Sequence, residues 1–321
     1  MKPSGKPGAA SRPAVSGTEA GLVVAGFGRH VLVEKANGER VICHPRGKKG
    51  QAVVGDRVRW LPSEDEGTIE KVEPRDNLFY RQDEMRTKSF AANLDQVLIL
   101  MAAEPEFSEN QLTRALIAAE ATGIRPVIAL NKSDLAEPFG RAWTKLAPYR
   151  AMGYQMLSLA IKPKAADDPG QTPVRSLMPL MQGKKTLVLG PSGAGKSSLT
   201  NLLIPHAQVL TAEISQALNS GKHTTTSTTL YWIDADRSTA LIDSPGFQEF
   251  GLHHIEPMHL AGYMPDLKAH AQHCKFYNCT HLHEPGCGVI AELNRSDTAS
   301  ISASRYRLYS ELFAELSQTR Y

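Results

Sequence analysis

Hydrophobic and polar residues alternate along this chain in successive patterns, and each pattern predicts a different kind of folded region. Between about residues 21 and 72, short apolar runs are separated by turn residues. The runs with strand character are 21–24, 30–34, 40–43, 56–60 and 67–72. Asn37-Gly38 is a strong hairpin-turn signal between two of these runs. Five short strands over this length predict a small closed β-barrel of the OB type.

From about residue 93 the pattern changes to alternating strands and helices. Residues 96–101 form a nearly continuous apolar run, which is typical of a strand covered on both faces. Ser108 is a good N-cap for a helix that extends through Ala121, and residues 125–130 form the next buried strand. This rhythm predicts a parallel sheet with right-handed crossovers. The runs 154–159, 186–189 and 239–242 supply further strands.

Residues 190–197 carry the chemistry around which the alternating region is organised. They read G-x-x-x-x-G-K-S and lie between an apolar strand and a helix-like run. The glycines let backbone N–H groups form an anion nest, and the helix adds its positive end. Lys196 would reach the β- and γ-phosphates, and Ser197 would ligate Mg²⁺. The predicted phosphate-binding residues are Gly190, Pro191, Ser192, Gly193, Ala194, Gly195, Lys196, Ser197 and Ser198.

A base-recognition motif follows the strand 125–130. It reads Asn131-Lys132-Ser133-Asp134, and ligands bind at the carboxyl ends of parallel strands. The Asp134 carboxylate can accept hydrogen bonds from guanine N1–H and the exocyclic amine, a donor pair that adenine lacks. Asn131 and Lys132 would brace the loop and cover the base. In the run 154–159, Ser158 is followed by leucine where GTPases often carry Ser-Ala, so this match is partial.

The last strand of the region ends in Asp243-Ser244-Pro245-Gly246. Asp243 fits the carboxylate that holds Mg²⁺, and Gly246 fits the N–H donor to a γ-phosphate. Upstream, Thr224 and Thr225 lie in a hydroxyl-rich loop that could supply another Mg²⁺ ligand. A solvated polar loop is the alternative interpretation of that stretch.

The chain contains four cysteines, and three of them lie close together near its end. With one histidine they form a Cys₃His set typical of a structural zinc site, which indicates a metal site rather than a disulfide framework. The predicted ligands are Cys274, Cys279, His281 and Cys287. His273 and His283 are alternative donors, and Cys43 stands alone as a core residue.

Composition and charge narrow the possible partners. The 321 residues are 41% apolar and 21% charged, which predicts two or three globular domains. Without a run of about 18 apolar residues or a secretory signal, we expect no membrane association and a cytoplasmic protein. The net charge of +3 is mild, so a nucleic-acid surface requires local clustering.

Two basic regions are candidates for that surface, although a solvated basic face is the alternative. In the barrel region, basic side chains accompany the aromatic residues Phe27, Trp60, Phe79 and Tyr80, a combination that suits phosphate contact and base stacking. Near the end of the chain, an amphipathic helix with a basic side could pack on the cysteine region, contact RNA, or both. The candidates are Arg46, Lys48, Arg57, Arg59, Arg305 and Arg307.

The order of the motifs is reversed relative to Ras-like GTPases, because N-K-x-D precedes the phosphate loop. Joining the old ends and cutting an exposed loop would leave such a site intact. The leading barrel, this order, the Gly-Lys-His-Thr-Thr-Thr stretch at 221–226 and the Cys₃His set together resemble the circularly permuted RsgA/YjeQ ribosome-associated GTPases. The resemblance covers nearly the whole chain from about residue 21.

The resemblance implies a multidomain fold with an N-terminal OB-like β-barrel, a central circularly permuted α/β P-loop GTPase domain and a C-terminal zinc-bearing, mainly helical domain. The expected limits are 1–18 for a disordered tail, 19–88 for the RNA-binding barrel, 89–252 for the GTPase domain and 253–321 for the zinc domain. Structural Zn²⁺, and Mg²⁺ with GTP, are the expected cofactors. The family pattern also favours His281 over its neighbours as the metal ligand.

The implied function is a GTPase that binds the 30S ribosomal subunit, assists its late maturation and is stimulated by it. The expected partners are GTP or GDP, the 30S subunit and its 16S rRNA, with the chain acting as a monomer. The alternative is a nucleotide-gated rRNA-binding checkpoint in which hydrolysis is secondary. An ATP-dependent enzyme is a further rival, and Asp134 argues against it.

Catalysis requires a group that orients water. The residue after Gly246 is Phe247, which cannot do so through a hydrogen bond. His223 is the nearest candidate by motif and the one that the resemblance suggests, although it could be only a hydrogen-bonding residue of its loop. The predicted catalytic set is therefore His223, Lys196 and Gly246.

Overall fold

The computed structural model describes residues 17–47, 51–63, 66–161, 173–205, 207, 227–246, 250–295 and 300–318. Some predicted features lie outside these residues. They are most of the tail 1–18, Lys48, the residues His223, Thr224 and Thr225, and Phe247.

The amino-terminal strands close into a barrel, which confirms the predicted five-stranded architecture. The strands are β1 (Glu19–Phe27), β2 (His30–Glu34), β3 (Arg40–Pro45), β4 (Arg57–Leu61) and β5 (Gly67–Val72). They are paired in the order β1-β2-β3-β5-β4, and β4 returns to pair with β1. The alternate side chains that point inward, among them Val33, Cys43 and Trp60, form the barrel core.

The central sheet has the predicted parallel character. Its strands are β8 (Gln96–Ala102), β9 (Arg125–Asn131), β10 (Gln155–Leu159), β11 (Lys185–Leu189), β12 (Thr229–Trp232) and β13 (Ala240–Asp243), paired in the order β10-β9-β8-β11-β13-β12. All neighbours are parallel except β12, which runs antiparallel to β13. Every residue of β8 is buried, which explains its continuous apolar run.

Helices connect and cover these strands. They are α1 (Glu109–Thr122), α2 (Ala136–Lys145), α3 (Ala147–Ala151), α4 (Pro173–Met181) and α5 (Lys196–Leu203). The predicted start of α1 is confirmed, because the Ser108 hydroxyl accepts a hydrogen bond from the Gln111 N–H at 3.3 Å. At the other end, Gly123 adopts φ 67° and accommodates the left-handed turn that ends the helix.

A β-hairpin lies between the barrel and the central sheet in the chain, where the sequence predicted only a basic segment. It consists of β6 (Leu78–Gln82) and β7 (Thr87–Ala92). Phe79 and Phe90 pack against Phe250, with ring centroids 5.9 and 6.0 Å away, within the core of the nucleotide region. The expected boundary between residues 88 and 89 falls within β7, and the division of the chain into domains stays a prediction.

The barrel joins the central sheet through direct strand pairing. Ala25 of β1 pairs with Thr229 of β12 in an antiparallel arrangement. Beside this joint, the buried Glu34 carboxylate accepts hydrogen bonds from Trp232 Nε1 at 2.7 Å and Arg40 Nε at 2.9 Å. The barrel is thus fixed to the sheet by backbone and side-chain contacts.

The carboxyl-terminal region is built mainly from helices in its described part. A 3₁₀ helix spans Pro257–Tyr263, followed by α6 (Pro265–Ala271), α7 (Gly288–Leu293) and α8 (Ala303–Leu316). Helix α8 buries Leu308, Tyr309, Leu312 and Phe313. Among the described residues, no helix combines the length and apolar character needed to cross a membrane.

Candidate functional site

The predicted nucleotide motifs meet at one edge of the central sheet. Strands β8, β9, β11 and β13 are mutually parallel, so their carboxyl ends lie at the same edge. The loops that leave β9, β11 and β13 are the Asn131-Lys132-Ser133-Asp134 segment, the phosphate loop and the Asp243–Gly246 segment. Motifs distant in sequence therefore form one site, as the permuted order requires.

The phosphate loop has a tight backbone in which glycine is required. Gly193 and Gly195 adopt φ 80° and 106°, which L-residues rarely accept. A Cβ atom at Gly190 would lie 2.2 Å from the Leu100 carbonyl oxygen. Lys196 is buried at the start of α5, and its Nζ donates to the carbonyl oxygens of Gly190 and Pro191, at 2.8 Å each. The loop thus curls around its own lysine.

Asp243 gives the site a buried carboxylate. Burial raises the pKa of Asp243 to about 6, although the positive charge of Lys196 works in the opposite direction. Burial also lowers the pKa of Lys196. Asp243 Oδ1 finds no hydrogen-bond partner within the described part of the chain, and a buried acceptor of this kind fits a cation or its bound water. Together with the exposed Ser197 hydroxyl, it could hold Mg²⁺.

Gly246 lies directly against the phosphate loop. A Cβ atom there would be 3.1 Å from Lys196 Nζ and 3.3 Å from the Ser192 nitrogen. Any side chain would therefore crowd the space where the loop's N–H groups and the lysine converge. This proximity brings the end of the Asp243–Gly246 segment to the place where a terminal phosphate would sit.

Asn131 connects the base-recognition segment to two other loops. Its Nδ2 donates to the Ala194 carbonyl at 3.0 Å, and its Oδ1 accepts from the Ile161 N–H at 3.1 Å. The neighbouring Lys132 donates to the Glu104 carbonyl from a left-handed backbone position. Asp134 stays exposed, with its carboxylate available to a ligand.

Ser158 stands near the end of β10, next to this segment. Its Cα pairs in register with Leu130 of β9, and its side chain is exposed. The Ser133 N–H donates to the Leu159 carbonyl at 3.0 Å, which holds the end of β10 beside the base-recognition segment. The predicted base-side residues thus lie on adjacent strand ends.

The Cys₃His set forms a second site in the carboxyl-terminal region. Donor atoms of Cys274, Cys279, His281 and Cys287 all lie within 4.8 Å of one another. His281 Nδ1 is 3.4 Å from Cys274 Sγ and 3.6 Å from Cys287 Sγ, and the two sulfurs are 3.9 Å apart. A tetrahedral zinc site with bonds of about 2.0–2.3 Å requires ligand separations close to these values. The chemistry and spacing therefore fit a closed structural metal site.

Hydrogen bonds within the protein hold the Cys₃His ligands in position. The Gly288 N–H donates to Cys274 Sγ at 3.3 Å, and the Ile290 N–H donates to Cys287 Sγ at 3.4 Å. From α8, the Tyr306 hydroxyl donates to the His281 carbonyl at 2.8 Å. Of the three histidines considered from the sequence, His281 is the one that the described structure places in the cluster.

The barrel arginines predicted to contact RNA are exposed but paired with carboxylates. The partners lie on the same barrel or on the segment that follows it. The pairs are Arg46–Glu70 at 2.6 Å, Arg57–Asp76 at 3.1 Å and Arg59–Glu73 at 3.5 Å. Exposed pairs of this kind exchange partners at little cost, so they remain compatible with phosphate binding.

The predicted stacking role of two aromatic residues is wrong. Trp60 is buried in the barrel core, and Phe79 is buried in the core of the nucleotide region. Neither ring can face a base without unfolding its surroundings. Strand alternation placed these rings inward, which a composition argument cannot detect.

Arg305 was also predicted to contact RNA, and the structure corrects this. Its side chain is 2% exposed and pairs with Asp266 through Nε at 2.8 Å and Nη2 at 3.1 Å. Nη1 donates to the Thr113 hydroxyl at 2.8 Å, and the guanidinium lies 5.2 Å from the centre of the Tyr149 ring. Arg305 therefore ties α8 to α6 and α1, whereas Arg307 is exposed beside Glu311.

Comparisons with known proteins agree with the geometry. The family model for the RsgA GTPase matches residues 72–253. The chain is 72% identical to the small ribosomal subunit biogenesis GTPase RsgA of Variovorax paradoxus, over 94% of this chain and 93% of that one. It is 48% identical to the protein of the same name from Burkholderia pseudomallei, over 96% of both chains.

Solved structures give the same result. YjeQ from Thermotoga maritima superposes with a TM-score of 0.69 at 29% identity, covering 94% of this chain and all of that one. YloQ, a circularly permuted GTPase, superposes with a TM-score of 0.67 at 25% identity, covering 97% of this chain and all of that one. The match extends across the barrel, the permuted sheet and the cysteine region, and the chain belongs to the RsgA GTPase family.

Proposed function

We propose that this chain hydrolyses GTP to GDP and phosphate, binds the 30S ribosomal subunit and assists its late maturation, with hydrolysis stimulated by the subunit. The observation that carries the proposal is the convergence of three separate motifs at one sheet edge in a chain of this family. The Variovorax relative, which is 72% identical, bears the name small ribosomal subunit biogenesis GTPase.

Guanine would be recognised by the segment that follows β9. The Asp134 carboxylate would accept from guanine N1–H and its exocyclic amine, and adenine would leave that carboxylate unpaired. Asn131 would hold the segment through its bonds to Ala194 and Ile161. Lys132 and Ser158 would cover the base from either side.

The phosphates would lie in the nest formed by residues 190–198, where backbone N–H groups and Lys196 offer positive charge. Ser197 and Asp243 would hold Mg²⁺, which when bound neutralises charge on the β- and γ-phosphates. Gly246 would donate its N–H to the γ-phosphate, since it already lies against Lys196 and Ser192. Negative charge on the phosphate oxygens increases during hydrolysis, and these donors are placed to stabilise it.

Three further residues complete the proposal from the segment that precedes β12. Thr224 or Thr225 would supply the remaining Mg²⁺ ligand, and His223 would orient the attacking water. The family resemblance and the Phe247 that follows Gly246 support this assignment of His223. Lys196 and Gly246 would stabilise the charge that forms as the phosphate bond breaks.

The outer regions would bind the subunit. We propose Zn²⁺ in the Cys₃His cluster and 16S rRNA as the partner of Arg46, Lys48, Arg57, Arg59 and Arg307. The chain would act as a monomer in the cytoplasm, where ribosomal subunits mature. We also propose a division into a tail (1–18), a barrel (19–88), a nucleotide region (89–252) and a zinc-binding helical region (253–321). The hairpin of β6 and β7 spans the second of these limits and packs on Phe250 of the nucleotide region.

The decisive experiment measures Mg²⁺-dependent hydrolysis of GTP and ATP with and without purified 30S or 50S subunits. We expect turnover of GTP only, raised by 30S and unchanged by 50S. Asp134→Asn should weaken GTP binding by about 10²-fold and improve binding of xanthosine triphosphate, whose C2 carbonyl accepts from the new amide. Equal turnover of ATP, or equal stimulation by 50S, would contradict the proposal.

A further inference from the structure

The chain that leaves the nucleotide site at Gly246 makes its next described packing contacts at Phe250. Gly246 lies against Lys196 and Ser192, and Phe250 is the next described residue. The four steps between their Cα atoms cannot span more than about 14 Å. Phe250 therefore lies within about 14 Å of Gly246, so its position limits where Gly246 can lie.

Phe250 and the residue after it are held by two kinds of contact. The Phe250 ring packs against Phe79 and Phe90 of the hairpin. The Gly251 carbonyl accepts a hydrogen bond from the Gln82 N–H at 3.1 Å, and the Gly251 N–H donates to Asp83 Oδ1 at 3.1 Å. The Phe250 carbonyl oxygen instead accepts a hydrogen bond from Arg114 Nη1 at 3.3 Å. The hairpin contacts hold the segment in the core, whereas the arginine contact comes from α1.

Arg114 also contacts the carboxyl-terminal helix. Its Nη1 is 2.9 Å from Glu315 Oε1 of α8, and its Nη2 donates to Glu315 Oε2, so the pairing is bidentate. Its Nε donates to Asn110 Oδ1 at 2.6 Å, which fixes the guanidinium plane. One planar group thus joins three elements: α1, α8 and the segment that leaves the nucleotide site.

The Arg114–Glu315 pair is partly exposed to solvent, whereas the Arg305–Asp266 pair of the same interface is buried. Arg114 and Glu315 line an open cavity of about 580 Å³, together with Phe250, His253 and the hairpin tip. Their side chains are 14% and 35% exposed, whereas Arg305 and Asp266 are 2% and 3% exposed. The buried pair holds α8 in place, so the Arg114–Glu315 pair is free to vary without detaching the helix.

We propose that Arg114 is a positioning residue for the hydrolysis of GTP: it holds the Phe250 carbonyl, and Glu315 of α8 sets the position of its guanidinium. This inference rests on the proposed function. Movement of α8, for example when the carboxyl-terminal region binds a partner, then reaches Gly246 through Glu315, Arg114 and Phe250. Arg114 touches neither nucleotide nor water in this scheme.

The test uses Glu315→Gln and Arg114→Lys in the full-length protein without subunits. Both retain polar contacts but lose the bidentate charged pair. Glu311→Gln is the matched control, since Glu311 lies on the same helix, is exposed and is 3.9 Å from Arg307. We expect kcat to fall about tenfold in both test variants, because small misplacements at a reacting centre have large effects, while the melting temperature stays unchanged. Glu311→Gln should match the wild type.

Coupling is read from the double variant and from nucleotide affinities. Arg114→Lys with Glu315→Gln should be no slower than Arg114→Lys alone, because the two residues act as one unit. The ratio of affinities for a non-hydrolysable GTP analogue and for GDP should fall in both variants, a result that simple destabilisation would not give. Independent, multiplying losses, or kcat within twofold of the wild type in folded Glu315→Gln, would overturn the inference.

The outcomes also separate this inference from the proposed function. If the wild type hydrolyses GTP, Lys196→Ala does not and the Arg114 and Glu315 variants behave normally, only the positioning role fails. If the wild type shows no GTP turnover, the proposed function fails, and with it the effect of Arg114 on hydrolysis. A lower ratio of analogue to GDP affinity in the variants would then still support the link from Arg114 to Gly246, and an unchanged ratio would overturn that link as well. Should Arg114→Lys fail to fold, Glu315→Gln carries the test.

Discussion

The nucleotide site and the Cys₃His cluster rest on very different amounts of buried structure. The first lies at the edge of a six-stranded sheet whose central strand β8 is buried at every position. The second lies in a short connection between α6 and α7, where the donor atoms of four side chains converge. One site is held by a large apolar core, whereas the other lies at the margin of that core, where Cys279 and Cys287 are buried, and is held mainly by its own ligands and the two tyrosines of α8.

Because of this difference, substitutions at the two sites should affect stability and activity differently. Residues at the sheet edge can be replaced without removing the scaffold, so such changes should reduce activity and leave the fold intact. A short loop cannot bury enough apolar surface, so removing its metal should cost stability first. Variants that affect one site and spare the other test this contrast.

Loss of the metal should have the largest effect on stability. Cys279→Ser or a strong chelator should release one equivalent of Zn²⁺ and unfold the connection between α6 and α7, because metal-binding free energies of about 10–16 kcal/mol become folding free energy in such sites. Elemental analysis and limited proteolysis measure both effects. Cys43→Ala, in the barrel core, is the matched control and should keep the metal. A metal-free protein that resists proteolysis as well as the wild type would show that the loop stands without it.

Breaking the buried Arg305–Asp266 pair comes next. Arg305→Ala leaves an uncompensated carboxylate in the core and should reduce the free energy of unfolding by about 3–5 kcal/mol. Arg307→Ala, two residues along the same helix but exposed, should change it by less than about 0.5 kcal/mol. Chemical denaturation measures both. Arg305→Met combined with Asp266→Leu should recover most of the loss, and failure to do so would mean that the helix needs the charges themselves.

At the nucleotide site, Lys196→Ala should lower kcat for GTP by about 10²–10³-fold, because a preorganised charge is removed where negative charge develops. The melting temperature should change little, since the loop backbone is held by the sheet. Single-turnover hydrolysis and thermal unfolding are the measurements. Lys184→Ala is the matched control: Lys184 also donates to a backbone carbonyl, that of Leu180 at 2.9 Å, but it lies at the opposite end of β11. A large loss of stability in Lys196→Ala would refute the contrast.

The smallest expected effect is the pH dependence of Asp243. Its pKa is raised from 3.8 to about 6 by burial, so the folded state favours the protonated acid. Without metal or nucleotide, this contribution to stability is complete below about pH 3.8 and is lost as the pH rises through 6. Binding of Mg²⁺ has the opposite sign, because it requires the carboxylate.

Titration calorimetry of Mg²⁺ with the GTP-bound protein checks that sign. Between pH 7.5 and 5.5 the apparent affinity should fall about fourfold, as the ionised fraction of a group with a pKa near 6 decreases. The Cys₃His cluster should also lose metal in acid, since its ligands must be deprotonated, but there the fold would weaken as well. If the Mg²⁺ affinity of the wild-type protein stays constant between pH 7.5 and 5.5, Asp243 is not a ligand of the ion.

The features that sequence reasoning predicted are those encoded by neighbouring residues. The phosphate loop and the Asn131–Asp134 segment each need only a few consecutive residues beside an apolar strand. The barrel and the parallel sheet followed from the period of the apolar positions, and the structure confirms both. The roles of the nucleotide-site residues stay predictions, although the fold brings Lys196, Asp243 and Asn131 to one edge.

The features that were missed depend on distant partners or weak turn signals. Nothing near Arg305 in sequence announces its partner Asp266, which lies 39 residues earlier. The hairpin of β6 and β7 turns through Asp83-Glu84-Met85-Arg86, which has none of the glycine or asparagine that marks a tight turn. The joint between β1 and β12 pairs Ala25 with Thr229, which lies 204 residues later in the chain. Tertiary contacts decide these features, so local pattern cannot supply them.

The sheet order also has a consequence for how the protein is made. Strands β8, β9 and β10 are consecutive in the chain and adjacent in the sheet, so they can assemble while later residues are still being synthesised. Strand β11 must then add to the free edge of β8, and its other neighbour, β13, is completed only at residue 243. During synthesis, the base-recognition segment Asn131–Asp134 is therefore complete before the phosphate loop 190–197 exists. GTP cannot bind through its phosphates until the second part of the sheet has been made. Nucleotide can therefore bind only late in folding, after β11 and β13 have joined the strands β8, β9 and β10 that were made first.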